Sequence, residues 1–150
     1  MELKFRIAAR IARPVEEVFE AVANPSTLSR YFTTGGAEGR LEAGATVMWA
    51  FHDYPGTFPV EVVEVEPNRR IVLRWEAEEP GAAPYSTTVT MTFEPLEDGR
   101  TLVSIAEEGW RETPAGLAAS YGNCEGWSHM LCALKAFLEH GINLREGMYK

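Results

Sequence analysis

Two polar residues set in apolar surroundings, Glu107 and Asn123, are the groups of this chain best placed to do chemistry. In "TLVSIAEEGW" the alternation puts Glu107 on the strand face that carries Val103 and Ile105. A carboxylate there would be desolvated and its pKa raised. It could then orient a ligand hydroxyl or act as a general acid or base. The competing reading is that strand pairing frays at "EEGW" and leaves Glu107 at a wet rim. Asn123 lies in "AASYGNCEGWSHMLCALKAFLEHG", residues 118 to 141, the longest helix-like run. At about 100° per residue, Ser120 and Asn123 fall in the middle of the face that carries Trp127, Met130, Leu134 and Phe137. An unpartnered buried amide costs about 1–3 kcal/mol. Asn123 should therefore meet a protein group, a water or a ligand, and a pocket-lining role and a structural bond to a neighbouring strand are both open.

The remaining candidates are weaker. His52 faces opposite to Phe51 at a strand end, as a turn histidine in solvent would. His129 and His140 lie on the polar helix face, where Glu125 and His129 make an i,i+4 pair. Ser128 and His129 diverge by about 100° around the helix, so no Ser-His-Asp arrangement is legible. Metal ligation needs three converging ligands, and no spacing here supplies them. "TTGGAEG" has the glycines of a phosphate loop but neither its lysine nor its strand-to-helix setting. No cofactor is expected.

The elements that must position these groups follow from periodicity. Residues 2 to 12 alternate as a half-buried strand through Leu3, Phe5, Ile7, Ala9 and Ile11. Pro14 suits the first turn of a short helix with Val15, Val18, Phe19 and Val22 on one face, and Asn24-Pro25 stops it. A second short helix through Leu28, Tyr31 and Phe32 runs into "TTGGAEG", read as a loop. From Gly44 the period is two: "TVMWAFHD", "TFPVEVVEVE", "RIVLRWEAE", "STTVTMTFEP" and "TLVSIAEEGW" follow one another as strands. A parity slip at Val62-Val63 suggests a bulge. In "STTVTMTFEP", Val89, Met91 and Phe93 face inward and a row of threonines outward. Thr113-Pro114 reads as the cap and first position of the long helix.

That helix holds an anomaly in its first half. A glycine inside a helix costs roughly 1 kcal/mol against alanine, yet Gly116, Gly122 and Gly126 cluster with Ala133 on one flank. Small residues there would let another backbone approach closely, from a loop of the same chain or from a second subunit.

Composition bounds the answer. The chain has 150 residues, 45% of them hydrophobic and 24% charged, which reads as one globular domain over 1–150 with a full core. A net charge of −8 with no basic face argues against nucleic acid as a partner. No run approaches the ~18 apolar residues of a membrane span, and "MELKFRIAARIARPVEE" lacks the apolar core of a signal peptide. Cys124 and Cys132 sit about 12 Å apart along one helix and cannot pair, so a reduced, cytoplasmic protein is expected.

Four ordered segments, "IARPVEEVFEAVANPSTLSRYF", "VEVVEVEPNRRIVLRWE", "TTVTMTFEPLEDGRTLVSIAEEGW" and "GWSHMLCALKAFLEHG", together resemble the START-like (SRPBCC) superfamily. Within it the chain looks like the branch related to the C-terminal domain of the activator of the heat-shock protein ATPase. Tyr31-Phe32 stands where relatives commonly have Trp-Phe, which keeps the aromatic character. The resemblance implies an α+β helix-grip fold: a curved antiparallel sheet of about seven strands wrapped around a long C-terminal helix, with two short helices between the first and second strands. It also implies a hydrophobic cavity bordered by the helix's N-terminal half. The superfamily includes lipid carriers, polyketide cyclases and co-chaperone domains, so fold does not settle function.

The expected function is binding of a small hydrophobic or aromatic ligand, lipid-like or polyketide-like, between sheet and helix. Its recognition layer would draw on Phe32, Trp49, Phe51, Phe58, Trp75 and Met91 from the sheet side. Ser120, Trp127 and Met130 would face them from the helix, with Asn123 and Glu107 as polar anchors. A co-chaperone-like interaction module of the stress response, with a chaperone as partner, is the alternative. A cyclase or dehydratase using Glu107 is the third. Monomer and homodimer are both open.

Overall fold

The alternating N-terminal segment forms strand β1 (Lys4–Ile11), and Pro14 directly precedes helix α1 (Val15–Ala23), in a computed structural model that describes residues 1–150. Asn24 ends α1 and caps α2 (Pro25–Leu28), its side chain accepting from the Ser26 N–H at 2.9 Å. Val18, Phe19 and Val22 bury the apolar face of α1, and the buried Tyr31 hydroxyl donates to the Ala21 carbonyl at 2.9 Å.

Six strands follow: β2 (Gly36–Glu38), β3 (Thr46–Phe51), β4 (Tyr54–Glu66), β5 (Arg70–Glu76), β6 (Ser86–Pro95) and β7 (Thr101–Glu108). With β1 they make one antiparallel sheet in the order β1-β7-β6-β5-β4-β3-β2. The register shifts between Val62 and Glu64, where the parity slip suggested a bulge, and Val63 is turned outward. The expected loop at "TTGGAEG" is in part a strand. Gly36 pairs with Ala50, and a Cβ at Gly35 would come within 2.9 Å of the Ala50 backbone, so only glycine lets β2 lie this close to β3. Three residues are too few for periodicity to reveal such a strand.

Helix α3 (Pro114–His140) lies across the concave side of the sheet. Thr113 caps it by accepting from the Gly116 N–H at 3.0 Å, and Gly141 ends it with φ 69°, the left-handed conformation that favours glycine at that position. Its buried Trp127, Met130, Leu131 and Leu134 share one core cluster with Val60, Ile71, Leu73, Val89 and Ile105 of the sheet. The C-terminal half is also tied to the first strand. Lys135 Nζ donates to the Arg10 carbonyl at 2.7 Å, and Glu139 accepts from the Ala12 N–H at 2.9 Å. The N-terminal half is not tied to β1, and the cavity opens along its Gly122, Asn123 and Gly126.

Candidate functional site

Pairing of β7 with both β1 and β6 extends through Glu107, which sits opposite Phe5 on one side and Val89 on the other. The strand therefore does not fray there, and Glu107 is 1% exposed rather than at a wet rim. On the same concave face Trp75 of β5 stands opposite Thr87 of β6, one step diagonally from Glu107. Above this row lie Asn123 and Trp127, one helical turn apart on α3.

These five side chains form a closed set of hydrogen bonds. Glu107 Oε2 accepts from Thr87 Oγ1 at 2.6 Å, Trp75 Nε1 at 3.0 Å and Asn123 Nδ2 at 3.0 Å. Oε1 accepts from Trp127 Nε1 at 2.9 Å and from the same Asn123 amide at 3.1 Å. Every donor is neutral, and no cation is paired with this carboxylate. Burial pushes the Glu107 pKa above the usual carboxylate range, and the bonds from Thr87, Trp75, Asn123 and Trp127 pull part of the way back. Only the nitrogen of the Asn123 amide can face a carboxylate. Its Oδ1, which has no protein donor, is therefore turned the other way.

Trp75, Asn123 and Trp127 form one wall of a cavity of about 780 Å³, while Glu107 lies behind that wall and does not line it. Phe32, Phe51 and Phe58 supply aromatic surface to the same cavity. Phe32 packs against Trp127 with ring centroids 5.5 Å apart and against Phe51 at 5.2 Å. Four other expected members are core instead. Trp49, Met91 and Met130 are each 1% exposed and filled in by neighbours, and Ser120 donates to the Leu117 carbonyl of its own helix at 2.7 Å. Strand and helix parity assign a face, but they do not tell a residue deep in that face from one at an opening. Glu107 likewise supports the wall rather than meeting the space in front of it.

Two glycines explain why space is left. A Cβ at Gly122 or Gly126 would meet nothing within 4 Å, and both residues line the cavity. The expected close backbone approach therefore does not occur at these two positions. It does occur at Gly116, where a Cβ would lie 1.9 Å from the Arg111 carbonyl oxygen.

Another side of the cavity is lined by the segment after α3, through Arg145, Tyr149 and Lys150. Arg145, 4% exposed, makes a two-pronged pair with Asp53, in which Nη2 donates to Oδ1 at 2.7 Å and Nη1 to Oδ2. The bonds from Arg145 hold the Asp53 carboxyl below its usual range against the opposing effect of burial. The Arg145 guanidinium lies 4.4 Å from the Tyr149 ring centroid, and the Tyr149 hydroxyl shares a 2.7 Å hydrogen bond with His129 Nδ1. That bond replaces the expected pairing of His129 with Glu125. Periodicity gave no sign of Arg145 or Tyr149, because "INLREGMYK" has none. Thr87 did have a signal: it shares the parity of Val89 and Met91 and belongs with them, not with the outward threonines.

A curved antiparallel sheet gripping a C-terminal helix, with an aromatic-walled cavity at the looser end of their contact, defines the helix-grip class of START-like domains. The chain belongs to the Activator of Hsp90 ATPase homolog 1-like protein family, whose model matches residues 12–139. Among solved structures, SSP2350 from Staphylococcus saprophyticus is 29% identical with a TM-score of 0.74, over 94% of this chain and 96% of that one. DynU16, from the dynemicin biosynthetic locus, is 23% identical with a TM-score of 0.78 over 95% of this chain, which spans only 49% of DynU16. An HSP90 activator from Plasmodium falciparum is 22% identical with a TM-score of 0.72, over 91% of this chain and 96% of that one. The last two likenesses carry the fold alone. No curated protein matches the sequence.

Proposed function

We propose that this chain binds a small, largely apolar or aromatic ligand in the cavity between the sheet and the first half of α3, without turning it over. The observation that carries this reading is the cavity of about 780 Å³, walled by aromatic side chains and kept open by Gly122 and Gly126. Its size and its mixture of aromatic surface with a few fixed polar groups are those of small-molecule sites. Glu107 serves the wall by fixing the rotamers of Trp75, Asn123 and Trp127. Its oxygens are occupied and it does not reach the cavity, which favours a positioning role over general acid–base catalysis. Both cysteines are free, and we place the chain in a reducing cytoplasm.

The test is titration with Nile red and with a mixed lipid extract, read by dye emission and by thermal unfolding. Binding near one to one and a raised Tm are expected. Gly126→Phe, which fills the cavity from the helix side, should abolish dye binding while the chain stays folded. Unchanged binding in Gly126→Phe would put the ligand elsewhere.

A second reading has its own support in the family itself and in the HSP90 activator among the structural neighbours. In it the chain is an interaction module for an Hsp90-type chaperone. Copurification with that chaperone, and stimulation of its ATPase, would favour this reading. No complex at micromolar concentration would count against it.

A further inference from the structure

The charges and free polar atoms around the cavity are one-sided. Five carboxylates line it against two cations, and Asp53 and Arg145 cancel each other as a buried pair. Glu76, Glu78, Glu79 and Glu125 are left, and none of the four is ion-paired. The second cation, Lys150, is exposed. Deeper in, the donors that an anionic group would need are already spent: Trp75 Nε1, Trp127 Nε1 and Asn123 Nδ2 all point at Glu107. What the wall offers instead is an acceptor, Asn123 Oδ1, the half-buried Trp75 indole, and the little of the Trp127 indole that is exposed, 2%.

Indoles bonded in this way, Trp75 above all, are better cation acceptors than free ones. A ring whose N–H donates to a carboxylate gains electron density, which strengthens its attraction for a positive charge over the ring. The Glu107 charge lies one residue layer behind them with no counter-ion in contact, and in a low-dielectric wall its field reaches into the cavity.

We propose that the cavity selects a positively charged ligand, an amine or quaternary ammonium on an aromatic or aliphatic body, over anionic ligands of similar size. This rests on the ligand-binding reading above and adds the ligand's charge to it.

The test uses three dyes that brighten in apolar sites: berberine (cationic), Nile red (neutral) and anilinonaphthalene sulfonate (anionic). Berberine is expected to bind about tenfold tighter than the sulfonate. The triple variant Glu76→Gln/Glu78→Gln/Glu125→Gln should narrow that gap to about threefold or less, with Nile red read alongside to separate loss of charge from any change in the cavity itself. These three residues are exposed, so the variant should fold, and circular dichroism verifies it. A charge-matched control away from the cavity, Glu61→Gln/Glu94→Gln/Glu97→Gln, should keep the full gap. Equal or tighter binding of the sulfonate overturns the charge selection and leaves the cavity reading standing. A preference for berberine that survives the triple variant, or is lost equally in the control, overturns it too. If the folded wild-type chain binds none of the three dyes, the ligand-binding reading itself fails.

Discussion

Glu107 is an acidic residue whose main work is to accept. Glu107→Leu would leave Thr87, Asn123 and Trp127 with buried donors and no partner, each costing about 1–3 kcal/mol. We expect a loss of about 3 kcal/mol or more in urea unfolding. Glu107→Gln keeps the shape but turns one oxygen into a donor facing other donors, so it should fall between the two. The raised pKa has a definite sign in a stability profile. Where the folded carboxyl binds its proton more tightly than the unfolded one, stability falls as pH rises from the ordinary glutamate value, about 4.3, to the raised folded value, and is level above it. Subtracting the Glu107→Gln profile should isolate this falling segment, and a rising segment would refute the assignment. Asp53 has the opposite sign. Its lowered pKa gives stability that is lost as pH falls through the folded value, below the ordinary 3.9 or so. At this scale the sequence was informative about faces and silent about depth. Alternation placed Glu107 inward, and the helical wheel placed Asn123 toward the sheet. That each was the other's partner could not be read, because the residues meet across a strand-to-helix contact that no local period encodes.

Helix α3 divides into a half that packs and a half that leaves room. Gly126→Ala should raise stability by about 1 kcal/mol, since the new methyl meets nothing and the helix gains in propensity. Gly116→Ala should lower stability, because its methyl would collide with the Arg111 carbonyl. Thermal melts of the two variants therefore move in opposite directions for the same chemical change. The start and the apolar stripe of this helix were legible, since Thr113 and Pro114 are local signals. The purpose of its glycines was not, because an unfilled volume leaves no mark on periodicity. The tail beyond it was also hidden, as Arg145 acts through a single long-range pair with Asp53. Replacing Arg145 by methionine would strand that buried carboxylate without its partner and release the segment from Ile142 onward. Limited proteolysis should then cut the tail faster than in the wild type, with the rest of the chain resistant.

At the scale of the whole molecule, sheet and helix are joined by two unlike contacts: an apolar core shared with β4 to β7, and a polar knot around one carboxylate next to the cavity. The first strand and the run of strands from β3 to β7 were legible from alternation and turn residues, which act locally, whereas the pairing of β1 with β7 has no local signal and the grip of sheet on helix was implied by the resemblance to START-like domains. The three-residue β2 is the exception, set by a close glycine contact rather than by pattern. A ligand in the cavity touches side chains of both layers, so it should stabilise the fold as a unit: about 2.7 kcal/mol at a hundredfold excess over Kd. Two of the indoles that touch the cavity are also bound to the Glu107 carboxylate. An indole's emission depends on the charge and water around its N–H and ring. Trp75 and Trp127 are thus a built-in optical gauge, whose colour and brightness under ultraviolet excitation will report, without any label, whether the space beside them is wet, empty of solute or filled.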